Sequence, residues 1–294
     1  MHKSDEDRLT EAVTEAYEAT PDPRLRELTT RLVHHLHAYI KDVRPSFDEW
    51  MQGIQFLTKV GQFCVGSRQE FILLSDVLGV SMLIDTVNVE AAAGATDSTI
   101  IGPVYVDNPP DMPLGANLSG ELKGRPLFVE GVVRTTDGSP IPGAEIDVWQ
   151  ADEDGLYDMQ KPELGETTDL RARFRADAHG KFHFRTIVPK FYSIPVDGPV
   201  GDLVRAAKRG TIRPAHVHFL INAPGYERLI THVFVKGDPH LHDDAVFAVK
   251  PSLVGEFVTN PAGAEAPDGT MMSEPWSHLT YEFGIKRAVG KKAA

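Results

Sequence analysis

A chain of 294 residues is long enough for two domains of ordinary size or one large one, which excludes a mini-protein held by staples. Apolar residues make up 41% and charged residues 24%, a globular balance that argues against disorder over most of the length. Forty-two acidic against thirty basic residues leave a formal charge of −12, which disfavours nucleic acid or an anionic membrane surface as partner. The single cysteine, Cys64, excludes an intrachain disulfide and any multi-cysteine metal site, and suits a reducing compartment. The opening MHKSDEDRLTEAV lacks an apolar signal core, and the most apolar stretch, residues 71–89, is interrupted by Ser75, Asp76, Ser81 and Asp85. A cytoplasmic protein without a membrane span is expected.

Helical periodicity with repeated start signals fills the first hundred residues. Ser4 with Asp7, Ser46 with Glu49 and Ser67 with Glu70 match the pattern in which a hydroxyl and a carboxylate three residues apart satisfy the free N–H groups of a first turn. Pro23 after Asp22 marks another start, because proline suits the first helical position. Four helices are predicted. On the second, Leu25, Leu28, Leu32, Val33, Leu36, Ile40 and Val43 recur at three- and four-residue steps and form one apolar stripe. A helical region of this size can bury the stripe only against the rest of the chain or another copy, which predicts a homodimer through these helices.

After the Gly/Pro-rich passage 91–113 the pattern changes to period two, with turn residues between short runs. The runs are 127–133 before Asp137-Gly138, 145–149, 172–175 before His179-Gly180, 181–188, 216–222, 229–235 and 281–285. Seven or more short strands imply an antiparallel sandwich or barrel. The predicted class is therefore α+β, with an N-terminal helical dimerisation region (1–110) followed by an antiparallel β-sandwich domain (111–294). The terminal GKKAA is expected to fray.

Chemistry concentrates in Arg213-Pro214-Ala215-His216-Val217-His218. Side chains at i and i+2 of a strand share a face, so His216 and His218 can present imidazoles to a common point. Taken alone the pair carries little weight, since a chain with twelve histidines places two at this spacing by chance. Upstream, DVWQADEDGLYD and FYSIP each place one tyrosine, Tyr157 and Tyr192, in a turn-rich segment beside a strand.

With RPAHVHF, these phrases resemble the intradiol ring-cleaving dioxygenases, non-haem ferric enzymes that open catechol-type rings between the two hydroxyl-bearing carbons with O2. The similarity runs through both the helical region and the β-domain. It implies Fe(III), one per subunit, held by Tyr157, Tyr192, His216 and His218, with Tyr192 the ligand that leaves when a diol chelates. It also implies that Arg213 stabilises charge on the ring while oxygen attacks, and that a phospholipid-like molecule lies in the dimer interface. The chemistry is consistent with that set. A phenol has a pKa of about 10, so a phenolate at neutral pH costs roughly 4 kcal/mol unless a cation binds it. Hard Fe(III) suits phenolate and imidazole better than thiolate, and two phenolates plus a hydroxide balance its charge.

The resemblance extends to the substrate pocket. Leu73-Leu74-Ser75-Asp76 on the fourth helix is similar to the L-L-S-D of hydroxyquinol-specific members, where catechol-specific ones have L-L-S-P. A carboxylate at Asp76 accepts a hydrogen bond from a third ring hydroxyl, worth roughly 1.5–3 kcal/mol. The matching motifs add Leu73, Ile101, Gly102, Pro103, Val104, Ile194, Pro195 and Val246 as pocket walls. Hydroxyquinol (1,2,4-trihydroxybenzene), cleaved to 3-hydroxy-cis,cis-muconate and thence maleylacetate, is the expected substrate, with catechol as the alternative. His232 stands where catechol-specific members carry glutamine, and the sequence assigns it no role.

Other clusters carry less. GDPHLHDD (residues 237–244) has ligand-like spacing but no tyrosine partner and is expected to be a polar turn. His34, His35 and His37 have no i, i+4 pair and are expected to flank the apolar stripe. The alternative of another class is a non-enzymatic β-sandwich binding module, in which Tyr157 and Tyr192 would be ordinary core tyrosines.

Overall fold

The structure, a computed structural model, describes residues 4–66, 68–89, 92–120, 122–161, 164 and 167–288. Ser67 of the third capping pair and the terminal GKKAA lie outside the described residues. The chain forms two compact units, Met1–Lys59 and Val60–Ala294.

The first unit is helical. Helix α1 (Asp5–Glu18) starts at Ser4, whose hydroxyl accepts from the Asp7 N–H at 3.2 Å. Helix α2 (Pro23–Val43) starts at Asp22, whose carboxylate accepts from the Leu25 N–H at 2.7 Å. Ahead of α3 (Phe47–Gln62), Ser46 and Glu49 cap each other's backbone at 3.2 and 2.7 Å. α1 lies along α2 through Thr10 Oγ1 to His37 Nδ1 (3.0 Å) and the ion pair of Lys41 with Asp7 (3.0 Å). The predicted stripe faces outward. No α2 residue is buried, and Leu25, Leu28, Leu32, Leu36, Ile40 and Val43 are all exposed.

In the second unit the predicted fourth helix is two, α4 (Glu70–Val77) and α5 (Val80–Asn88). Gly79 between them adopts φ +71°, a left-handed conformation that stops one helix and lets the next start in a new direction. Ser75 and Ser81 hydrogen-bond across the break at 2.8 Å. No helix among the described residues is long and apolar enough to cross a membrane.

The remainder is a two-sheet β-domain. In chain order its elements are β1 (Pro126–Thr135), β2 (Glu145–Gln150), β3 (Arg171–Arg175), β4 (Lys181–Ile187), β5 (Tyr192–Ser193), α6 (Pro199–Ala206), β6 (Ile212–Arg213), β7 (His216–Asn222), β8 (Leu229–Val235), β9 (Val254–Gly255), β10 (Phe257–Asn260) and β11 (Trp276–Ile285). One sheet has the order β10-β11-β1-β4 and the other β3-β2-β7-β8-β9, with β5-β6 a separate ribbon. Their inner faces meet in a core that includes Leu127, Val129, Phe174, Phe182, Phe184, Val217, Phe219, Val233, Leu279 and Phe283. The sandwich is mainly antiparallel, as period two implies. β1 and β11 instead pair in parallel from Leu127↔Ser277 to Thr135↔Ile285. A hairpin forces antiparallel pairing, but the long excursion separating these strands does not. β7 is buried on both faces over His216–Ile221, with Val217, Phe219 and Ile221 in the core between the sheets and His216 and His218 covered on the other face by the tyrosine-bearing segments.

Gly131 in β1 sits opposite Phe182 of β4, whose fully buried ring occupies the space a Cβ would need. Gly131→Ala should destabilise the protein by about 1–3 kcal/mol through overpacking, measured by urea denaturation of the iron-free chain.

Candidate metal centre and ring pocket

β7 brings His216 and His218 to one face two residues apart, as strand geometry dictates. The carbonyl of Pro214 lies 2.6 Å from His216 Nδ1. A carbonyl only accepts, so this nitrogen carries the proton and leaves Nε2 as a bare lone pair. That lone pair meets His218 Nε2 at 3.0 Å, and Tyr157 Oη reaches the same His218 Nε2 at 3.0 Å.

Tyr157 arrives from the segment after β2, which is held by charge rather than by regular structure. Asp152 accepts the N–H groups of Asp154 (2.8 Å) and Leu156 (2.9 Å) and pairs with Lys161 at 2.6 Å. The Tyr157 N–H donates to Gln160 Oε1 at 2.9 Å, closing a one-turn 3-10 helix over Asp158–Gln160. Next to Tyr157, Asp158 and Arg171 form a buried two-pronged pair at 2.6 and 2.8 Å, and the same guanidinium donates to the Val104 carbonyl at 2.9 Å. Arg171 thus ties the tyrosine segment to a wall of the pocket.

Tyr192 comes from the β5-β6 ribbon, where it lies opposite Arg213. Its ring sits edge-on to Tyr157, centroids 5.1 Å apart, and 5.6 Å from the His216 ring. Arg213 Nη1 donates to Tyr192 Oη at 3.3 Å and Nε to the Asp244 carboxylate at 3.3 Å, while Nη2 has no partner. Asp244 also accepts the N–H groups of Val246 (3.3 Å) and Ala248 (2.9 Å). Sequence reasoning set the run 237–244 aside. His240 does stay in that turn, pairing with Asp243 at 3.2 Å, but Asp244 is a buried anchor for Arg213. Its position two residues before Val246 was the available signal.

Burial drives the Tyr157 phenol well above 10, and Tyr192 adds to the rise while Arg213 and Arg171 oppose it. Burial likewise pushes His216, His218 and His232 well below 6.5, helped in each by the positive charge of Arg213. Burial also works against the Arg213 charge, but Tyr192 and Asp244 outweigh it and keep the guanidinium protonated. Neutral imidazoles and phenols thus converge in a dry interior, joined by hydrogen bonds. A cation among them would exchange those bonds for ligation and supply the charge that phenolates require. A donor set of hard oxygen and imidazole nitrogen, without thiolate, fits iron. His232 places a ring nitrogen within 4.8 Å of those of His216 and His218, a third imidazole that sequence reasoning did not use.

Against this cluster lies a narrow cavity of about 30 Å³ lined by Leu73, Asp76, Ile100, Pro103, Val104, Tyr157, Gln160, Tyr192, Ser193, Ile194, Pro195, Arg213 and Val246. Of the expected wall residues, Leu73, Asp76, Pro103, Val104, Ile194, Pro195 and Val246 are there. Ile101 and Gly102 are not: Ile101 packs against the cluster of Trp149, Ala151, Tyr157 and Leu220, and Gly102 borders His218. The residue that lines the cavity from that segment is Ile100, and Gln160 and Ser193 were not foreseen. Asp76 is almost fully buried, and burial raises its carboxyl above the ordinary range, opposed by Ser81 and the charge of Arg213.

The matches to known proteins span both halves of the chain. Residues 22–96 match the family model for the catechol dioxygenase N terminus, and residues 100–286 the model named dioxygenase. The chain is 46% identical over 280 residues to a hydroxyquinol 1,2-dioxygenase of Rhodococcus opacus, covering 95% of this chain and 93% of that one. It is also 46% identical over 275 residues to a 6-chlorohydroxyquinol 1,2-dioxygenase of Cupriavidus pinatubonensis, covering 94% and 99%. The solved hydroxyquinol 1,2-dioxygenase of Pseudomonas putida DLL-E4 superposes with a TM-score of 0.89 at 42% identity, covering 96% of this chain and 99% of that one. Similarity of this extent, carried through helices and sandwich alike, makes the chain a member of the intradiol ring-cleavage dioxygenase family.

Proposed function

We propose that the protein cleaves hydroxyquinol with O2 at Fe(III), one ion per subunit, giving 3-hydroxy-cis,cis-muconate that tautomerises to maleylacetate. Tyr157, Tyr192, His216 and His218 would hold the iron. Bound there, it would supply Lewis acidity toward a chelated diol and make the ring reactive to O2. The protein residues do the rest. Tyr192 Oη is the base that takes a proton from an arriving diol hydroxyl, held in place by the Arg213 Nη1 that donates to it at 3.3 Å. The same guanidinium, fixed by Asp244 and with Nη2 uncommitted, stabilises negative charge developing on the ring. Leu73, Pro103, Val104, Ile194 and Val246 present apolar surface to a flat ring and exclude water.

The observation that carries the choice of hydroxyquinol over catechol is Asp76, a buried carboxyl that lines the cavity beside the apolar surface of Leu73, Val104 and Val246. A third hydroxyl gives it a partner that catechol lacks, and relatives named for hydroxyquinol support the same choice. Asp76→Ala should lower the ratio of kcat/KM for hydroxyquinol over catechol by about 10-fold or more, the worth of one charge-assisted hydrogen bond. An unchanged ratio removes the assignment.

Arg213→Lys keeps a charge beside Asp244 but gives up the planar fork. It should retain the red colour of a ferric phenolate protein while kcat falls by about 100-fold, as for loss of a preorganised donor. Visible absorption and steady-state turnover on one preparation check both halves.

We further propose that dimerisation belongs to the helices of residues 1–110 and chemistry to residues 111–294, with Leu73 and Asp76 reaching the pocket from the former. The subunits would meet through the exposed α2 face, and a phospholipid-like molecule would share that apolar surface. A groove beside α1 and α2, lined by Glu6, Leu9, Ile40, Lys41 and Arg44, offers apolar surface next to ion-paired polar groups. The single cysteine supports a cytoplasmic setting. Leu32→Arg should convert a dimer to a monomer in sedimentation at micromolar concentration, and a monomeric wild type would remove the dimer.

A further inference from the structure

We infer that Trp149 and His232 clamp the imidazole of His218 between them, with Thr99 as the pin that holds His232, so that His218 is aimed by packing where His216 is aimed by a hydrogen bond. The inference rests on the reading of His216 and His218 as iron ligands.

A metal-binding histidine ordinarily donates its second ring N–H to a carboxylate or carbonyl, which fixes both tautomer and ring direction. His216 does so through Nδ1 to the Pro214 carbonyl at 2.6 Å. His218 does not. Its Nδ1 is buried without any hydrogen-bond partner, yet its Nε2 sits 3.0 Å from both His216 Nε2 and Tyr157 Oη. Something else must set the ring.

Strand register supplies it. Trp149 of β2 and His232 of β8 both lie directly opposite His218 of β7, so the three side chains form one row across three strands. The indole stacks on the imidazole with centroids 4.5 Å apart and planes 13° apart. On the other side the His232 ring leans on it at 4.2 Å and 51°. Trp149 is buried with its indole N–H unpartnered, so that site uses the face of the indole and not its polar edge.

His232 would be free to rotate if it were held only by these contacts. Thr99 Oγ1 hydrogen-bonds its Nδ1, and the Thr99 N–H donates to the Ile230 carbonyl at 2.8 Å, fastening the pin to β8 itself. Phe234, two residues on, lies nearly parallel to His232 at 5.4 Å and 23°, and the His216 ring meets it at 4.7 Å and 80°. Among the described residues the hydrogen bonds of Thr99 go to His232 and Ile230 and to none of the four proposed ligands, which makes it the position from which to test the clamp.

The experiment compares wild type, Thr99→Val, Thr99→Ser and Gly131→Ala after iron loading. It follows the rate of iron loss to excess chelator, the position of the visible band, and the unfolding midpoint of each iron-free protein. Thr99→Val removes the hydroxyl at nearly constant volume and should lose iron about 10-fold faster with a shifted band, in line with outer-shell partners at metal sites. Thr99→Ser keeps the hydroxyl and should behave as wild type. Gly131→Ala, remote in the other sheet, lowers stability without touching the row and should keep the wild-type rate and band. The clamp is overturned if Thr99→Val matches wild type, if Thr99→Ser fails like valine, or if Gly131→Ala loses iron as fast. A wild type that takes up no iron fails differently: it removes the metal reading and the clamp with it.

Discussion

His218 Nε2 lies 3.0 Å from both His216 Nε2 and Tyr157 Oη in an interior that water does not reach. With the groups neutral these contacts are hydrogen bonds that replace lost hydration. A cation bound there would meet donor atoms that already converge, so little reorganisation would accompany binding. Much of the β-domain near these residues is intelligible as what is needed to sustain that arrangement.

Ion pairs provide much of the restraint where regular structure stops. Tyr157 lies outside any strand, yet Asp152 with Lys161 on one side and Asp158 with Arg171 on the other leave its backbone no freedom. Buried pairs of this kind add little net stability against apolar substitutes of equal volume. Their value here is directional, since a guanidinium fork binds a carboxylate in one plane. Arg213 follows the same logic with a difference. Asp244 fixes one end, Tyr192 engages the second, and the third N–H group is left unpaired beside the cavity. An unsatisfied donor in a buried position is costly, and a site that must receive developing negative charge is where such a cost has a use.

The helical unit presents the opposite case, an apolar face left exposed. Leu25, Leu28, Leu32, Leu36, Ile40 and Val43 are all exposed along α2, a contiguous apolar stripe of the kind that marks an interaction surface. Its periodicity was plain from the sequence, and so was its need for cover. Asp7 and Glu6 of α1 pair with Lys41 and Arg44 at the end of α2, and the stripe stays exposed.

By itself the sequence determined whatever depends on near neighbours along the chain. Capping at Ser4, Asp22 and Ser46, the apolar step on α2, the strand runs and the shared face of His216 and His218 are all set by residues within four positions of one another. The motifs also brought Asp76 and Arg213 into view. Only the tertiary structure decided the break at Gly79, the parallel pairing of β1 with β11, the replacement of Ile101 by Ile100 in the wall, the anchoring of Arg213 by Asp244, and the row of Trp149, His218 and His232. Each of these depends on which strands lie side by side or how a backbone turns at one residue. Sheet order and register join positions tens of residues apart, and no local period in the chain encodes that distance.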